Sequence, residues 1–478
     1  MLYRFRDMDH LVGKYEELKR QEIYFASQNE LNDPLEGMLQ VIWNGDEIAW
    51  RGLINNYLLC LEHTFTLYRL GVSMEELLDI PVFKTSDDLP TKSYCNLYDK
   101  IKKAFYEKTE VIQIVKAFGG NDIVVLQNEL LFFLRYFHIA AIEIIIEAHY
   151  KNGLISEKEM KHISKPKPSR GVDISKVIDA YVKAKTNKNA KQKELFEFLS
   201  SMYDQYILEM QVGIYESFNE MQKKWSFIYM SFTEKYIENL TKLIYPNCFV
   251  SCFSQDFSNS SMWGNYADGH RGACLIFDTK EFEGKPRMPL YLPYSYSSGG
   301  ASYGYTDKEF SKVTYHSKLQ AINFFDSLGR LNGIQLAKWL VDENKNKSKN
   351  YEWIHKDMDH WRRNYWDFFE KMNCSKTKDW EYEQEFRLYI TDSFFEFKEA
   401  KERAIKYKFE NLNGIIFGIK TTTEDKIRII KIIAQKCKEI KREEFNFYQA
   451  VYDPELAEIK IKKLDVLSKI KIIVNDQS

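Results

Sequence analysis

The chain has 478 residues, too many for one ordinary compact domain, so two or three folding units are expected. Hydrophobic residues make up 44% and aromatics 15%, which excludes wholesale disorder. With 68 basic against 69 acidic residues the net charge is −1, and no global field draws the protein to nucleic acid or to an anionic membrane.

The N-terminal stretch MLYRFRDMDHLVGKYEELKRQ carries charges where a signal peptide needs an apolar centre, so a cytoplasmic protein is expected. Residues 1–45 read as strand, helix and strand. LYRFR is aromatic and short, the following segment places Leu11, Tyr15 and Leu18 on one helical side, and EIYFAS is a second strand. LNDPLEG then marks a turn through Asn32, Asp33 and Pro34, with Glu36 just beyond. Its Asn and Asp suit self-capping as well as they suit a site.

Residues 46–245 read as an all-helical insertion. Gly119-Gly120 before Asn121 and Asp122 predicts a break and an N-cap ahead of a long apolar helix. That helix, Leu126 to Tyr150, contains Glu129, Arg135, Glu143 and Glu147. No uncharged run reaches the ~18 residues of a membrane span, so it reads as buried in protein. From about Lys191 to Leu243 the helical periodicity persists, predicting one very long helix or a helical hairpin that ends at Tyr245-Pro246. Two Lys-rich stretches, KPKPSR (165–170) and KAKTNKNAKQK (183–193), are solvated runs with some capacity to touch phosphates.

Residues 246–478 return to strand-like text: NCFVSCFS, GACLIFD, KVTY, EYEQEFRLYI, GIIFGI, FNFYQAVYD and EIKIKKL. A helical excursion over about 316–372 interrupts them, and TTTEDKIRIIKIIAQKCKEI reads as a Thr/Asp-capped helix. Strands at both ends with helices between imply an α+β core assembled from distant segments. The seven cysteines (Cys60, Cys95, Cys248, Cys252, Cys274, Cys374, Cys437) form neither a disulfide framework nor zinc-type pairs. They read as buried free thiols, and no metal is expected.

The chemistry concentrates in three places. In Trp380-Glu381-Tyr382-Glu383-Gln384-Glu385-Phe386-Arg387, strand alternation puts Glu381, Glu383, Glu385 and Arg387 on one face. Three carboxylates in a row repel unless cations, donors or a substrate stand before them. An outward-facing edge strand is the bland alternative. Arg4, inside an aromatic strand, carries a planar fork suited to a diphosphate. In Cys248–Asp278, Ser251 and Ser254 end a strand, and Met262-Trp263 and Tyr266 begin a short helix whose aromatics suit a nucleobase or nicotinamide ring. His270, near Gly272, reads as a loop histidine.

These segments, in order, resemble a bacterial family catalogued as a domain of unknown function. The series is Tyr3-Arg4, Asn32-Asp33-Pro34-x-Glu36, Phe253-Ser254 with Met262-Trp263-x-x-Tyr266, Val313-x-Tyr315 and Trp380-x-x-Glu383-x-Glu385-x-Arg387. Some members sit among abortive-infection and phage-defence genes. The order Arg, Ser-x-Ser, Glu-x-Glu is similar to the Arg-Ser-Glu ADP-ribosyltransferases, which implies a split antiparallel sheet and NAD as substrate. On that resemblance Glu385 stabilises the ribosyl cation and Glu383 orients or deprotonates the acceptor. Arg4, Tyr3, Ser251, Ser254, Trp263, Tyr266 and Arg387 then bind NAD. The acceptor is RNA, DNA or protein, a restraining or sensing partner is implied, and no membrane is involved. Cys252 stands where the first Ser of Ser-x-Ser belongs. Competing readings are a metal-dependent nuclease using Asp33, Glu36, Glu383 and Glu385, and a non-catalytic sensor.

Overall fold

A computed structural model gives the fold. It describes residues 1–33, 36, 40–162, 174–187, 190–215, 219–316, 321–392, 395, 397–455 and 458–468, so Pro34 and the KPKPSR stretch lie outside the described residues. The chain divides into two compact units. One comprises Met1–Met38, Pro246–Leu319 and Asp367–Ser478; the other comprises Leu39–Tyr245 and Gln320–Trp366.

The first unit is α+β. Its main sheet runs, from one edge, through Ser311–Lys312, Glu385–Thr391, Cys248–Ser254, Leu2–Arg6, Ala273–Phe277, Leu412–Phe417, Asn446–Asp453 and Glu458–Lys463. Ala26–Ser27 also pairs with Cys248–Ser254. The pairing is antiparallel except between Leu412–Phe417 and Asn446–Asp453, which run parallel. Such a parallel pair needs a crossover, and the helix Thr423–Ile440 supplies it. Thr422 caps that helix by accepting the Asp425 N–H at 3.1 Å.

Alternation along each strand gives the sheet two buried faces. On one, Leu2, Phe253, Leu275, Phe277, Leu388 and Phe417 pack with Ile429 and Ile433 of the crossover helix. On the other, Phe5, Cys274, Ile276 and Ile416 pack with Met262 and Trp263 of the helix Ser260–Tyr266. A long hairpin, Lys285–Ser297 with Gly300–Glu309, is a further part of this unit.

The second unit is mostly helical but not wholly so. Ala321–Asn323 pairs parallel with Gln40–Trp43, which pairs antiparallel with Val125–Leu126. Gln320–Trp366, which lies within the helical excursion expected over about 316–372, belongs to this second unit. The long apolar helix spans Gln127–Lys151 and follows Leu126; Asn121 and Asp122 do not cap it, because the two-residue strand intervenes. Among the described residues no helix is long and apolar enough to cross a membrane. The predicted long helix after Lys191 is several: Ala190–Tyr215, Glu220–Ser226 and Phe232–Leu240, the last two joined by a π turn at Phe227–Ser231.

A π turn frees carbonyls from the regular ladder. His138, 3% exposed, uses one of them: its Nε2–H donates to the Ile228 carbonyl at 2.6 Å, and its Nδ1 accepts the Tyr57 hydroxyl at 2.7 Å. Both nitrogens are engaged by the neutral ring, and burial pulls the imidazole down to about 4. A depressed histidine lets the unfolded chain bind the proton first, so stability should fall as pH drops from about 6.5 towards 4. Urea unfolding of the full-length protein should show this loss, up to about 3 kcal/mol. His138→Gln should flatten the slope over that window; an unchanged slope would assign the acid sensitivity elsewhere.

Candidate active site

The Glu-rich segment does not form one continuous strand. Lys378–Glu383 is a 3₁₀ turn, Gln384 adopts a left-handed conformation (φ 43°), and the strand begins at Glu385. Regular alternation therefore starts only at Glu385, and Glu381 is solvent-exposed. The turn nonetheless delivers Glu383 and Glu385 to one side. Ser254 fixes the turn: its hydroxyl donates to the Glu383 carbonyl at 2.7 Å and accepts the Asp256 N–H at 3.0 Å. The Glu385 N–H donates to the Tyr315 hydroxyl at 2.9 Å.

Five charged side chains meet there, all within one unit: Arg387 (1% exposed), Glu383 (2%), Glu385 (3%), Glu36 (4%) and Lys376 (6%). Arg387 donates through Nε to Glu385 Oε1 (2.8 Å) and through Nη2 to Glu385 Oε2 (2.9 Å). It also donates through Nη1 to the Asn373 carbonyl (2.5 Å) and through Nη2 to Glu36. Lys376 Nζ lies 2.7 Å from Glu383, 3.4 Å from Glu36 and 3.7 Å from Glu385, and 4.4 Å from the Trp380 ring centre. The Tyr266 hydroxyl donates to Glu383 Oε1 at 2.5 Å.

Three carboxylates therefore share two cations. Burial raises Glu383 and Glu36 above the usual carboxylate range, against the pull of Lys376 and Arg387 respectively. Burial works the same way on Glu385, but its paired bonds with Arg387 outweigh it and leave this carboxyl lowered. The Tyr266 phenol is raised by burial and by Glu383, and Tyr315 is pushed up to about 12, chiefly by burial.

Of the sequence-predicted residues, Glu383, Glu385, Arg387, Tyr266 and Ser254 come together. Tyr3 joins them through the sheet: it sits opposite Ser254, which sits opposite Glu385, so the three form one transverse row on one face. Arg4 does not join them. The next residue on a strand points to the other face, and there Arg4 donates to Glu17 at 3.2 Å beside Arg6, over the Phe253 ring. Burial and the neighbouring Arg6 pull it down to about 10. Ser251, opposite Leu388, also faces that apolar side. Trp263 is fully buried in the second core, edge-on to Phe5 at 5.1 Å, with its indole N–H on the Phe257 carbonyl; it offers no free ring face.

Sequence reasoning missed Lys376, whose short strand Ser375–Thr377 pairs parallel with Thr314–His316. The available signal was charge balance, because three clustered carboxylates demand cations. Glu36 was weighed against a self-capping turn, and the structure places it on Arg387. A cleft of about 560 Å³ in the same unit is lined in part by Ser311, Lys312, Lys371, Cys374 and Phe386, but not by any of the five charged residues. The charged cluster is closed.

Residues 262–388 match the family described as "Protein of unknown function (DUF2971)", a segment that includes Tyr266, Tyr315, Lys376, Glu383, Glu385 and Arg387. No curated protein and no solved structure matches the chain.

A buried ion cluster is fragile to loss of one partner. Lys376→Met should cost about 3–5 kcal/mol in urea unfolding, because it strands carboxylates in the interior. Adding Glu383→Gln should recover part of that loss. Additive single-variant losses would show that the two side chains are not coupled.

Proposed function

We propose that the α+β unit is an ADP-ribosyltransferase-like enzyme that cleaves NAD and transfers ADP-ribose to a macromolecular acceptor, RNA, DNA or protein. The observation that carries this reading is the row Tyr3–Ser254–Glu385 across three adjacent strands, with Glu383 beside it. Breaking the ribose–nicotinamide bond sends the electron pair out with nicotinamide and leaves positive charge on the ribose. A carboxylate held ionised, as Arg387 holds Glu385, stabilises that charge. Glu383, raised by burial, takes the proton of the acceptor group as the new bond forms. In this reading Arg387 and Lys376 supply the cationic role expected of Arg4, because Arg4 faces the opposite side of the sheet.

The resemblance to families found among abortive-infection genes supports a role in bacterial antiviral defence, in the cytoplasm, with activity restrained by a partner. A second reading, a metal-dependent nuclease, has one observation in its favour. Single donor atoms of Glu36, Cys252 and Glu385 all lie within 4.8 Å of one another. Against it, Arg387 occupies both Glu385 oxygens and one of Glu36, so a divalent ion has to displace a guanidinium.

Purified protein should release nicotinamide from labelled NAD and pass the label to RNA, single-stranded DNA or lysate protein. Glu385→Gln should lower the rate on the order of 10²–10³-fold. Chelator should leave it unchanged. Because a base acts when deprotonated, the rate should climb with pH above the ordinary glutamate range, and Glu383→Gln should remove that limb. No NAD cleavage with any acceptor, together with chelator-sensitive degradation of nucleic acid, would replace this reading with the nuclease.

A further inference from the structure

We propose that the long hairpin of the α+β unit is a dimerisation arm. Through the free edge of its second strand, Gly300–Glu309, it pairs antiparallel with the same strand of a second copy of this chain.

For most of its length the hairpin is a two-stranded ribbon, because Lys280–Phe282 pairs only with Lys285–Arg287 at its base. Such a ribbon has two edges, and the chain treats them differently. The edge of Lys285–Ser297 carries Pro286, Pro289 and Pro293, which have no N–H to offer a neighbouring strand. Tyr407 also meets that edge, in a bridge to Leu290. The strand Gly300–Glu309 is 10 residues long and contains no proline. Among the described residues, the backbone of Ala301–Lys308 bonds only to Lys285–Ser297. Its other row of N–H and C=O groups therefore faces outwards, as a template for a further strand. Charge, proline or a bulge usually blunts an edge of this kind. Here the register shift falls at Tyr294, on the proline-bearing strand, and leaves Gly300–Glu309 regular.

Charge selects the occupant. No charged side chain occurs from Met288 to Thr306, although 29% of the chain is charged. A nucleic-acid strand needs cations along its track, and this edge supplies none. A second copy needs only that like charges do not oppose one another. With a two-fold axis at Gly304, Ser302 faces Thr306, Tyr303 faces Tyr305, and Asp307 faces Ala301, so that condition is met. The aromatic face favours the same pairing. Tyr303 and Tyr305 are 53% and 46% exposed, and Tyr291 of the neighbouring strand stacks on the first at 6.0 Å and meets the second edge-on at 5.3 Å. These rings are ordered against one another before a partner arrives, so little side-chain freedom is lost on burial. Each phenol both donates and accepts, which makes the face complementary to itself. One strand pair is a small contact, so the dimer is a reversible one that dilution dissociates.

Sedimentation of the full-length protein tests this. The weight-average mass should rise with concentration from that of one chain towards two. Tyr303→Lys combined with Tyr305→Lys brings like charges together across the axis. That variant should keep the mass of one chain at every concentration, with the circular dichroism of the natural protein. Tyr452→Lys, at a comparably exposed tyrosine of the main sheet, should dimerise as the natural chain does. Hydrogen exchange on the natural chain needs no variant: amides of Ala301–Thr306 should exchange several-fold more slowly as concentration rises. A natural chain that stays single throughout would overturn the proposal and leave the edge to a strand of another protein. A dimer that survives both lysine substitutions, or exchange over Ala301–Thr306 indifferent to concentration, would overturn it equally.

Discussion

The α+β unit is organised around a guanidinium that water does not reach. Arg387 is 1% exposed, and a charge at that depth survives only when each donor meets an acceptor. Both Glu385 oxygens, Glu36 and the Asn373 carbonyl meet that demand. Each partner comes from a different local structure: the strand itself, a turn near the N-terminus, and the end of the helix Met358–Asn373. Satisfying one side chain thus pins segments hundreds of residues apart. Lys376 extends the same logic to Glu383, which the 3₁₀ turn and the left-handed Gln384 deliver beside Glu385.

The same sheet carries a second buried ionic group on its other face, where Arg4 and Arg6 share Glu17. Two arginines on one carboxylate give that group the opposite imbalance to the carboxylate-rich cluster. The Arg4–Glu17 group is walled by Phe253 and Tyr407, and it ties the helix Glu17–Arg20 to the first strand. The carboxylate-rich face instead has half-buried Tyr3, Cys252, Tyr266 and Tyr315 around it. Aromatic and hydroxyl groups thus border the excess of carboxylate, whereas apolar residues pack against the arginine-rich group.

Much of this was legible in the chain. LYRFR, CFVSCFS, ACLIF, LNGIIF and the two closing strands announce themselves by short apolar runs, and the Thr-capped helix by its TTTED start. Other features were hidden for physical reasons. Pro286, Pro289 and Pro293 disguise the long strand Lys285–Ser297, which tolerates them in a small separate sheet. The face of Arg4 depends on register, and a one-residue difference inverts it, so an arginine adjacent in sequence to the right position points away from the site. Apparent alternation over Glu381–Arg387 misled because a turn with one left-handed residue can also bring two glutamates to one side. Lys376 carried no local signal, since a parallel pairing with Thr314–His316 positions it.

The most direct test of the site is a structure of the full-length protein determined with ADP-ribose. Ligand lying along the Tyr3–Ser254–Glu385 row, with its ribose against Glu385 and Glu383, is the result expected. Ligand bound elsewhere, with Glu36, Glu385 and Arg387 still joined as they are here, would contradict it and leave the cluster as a structural clamp.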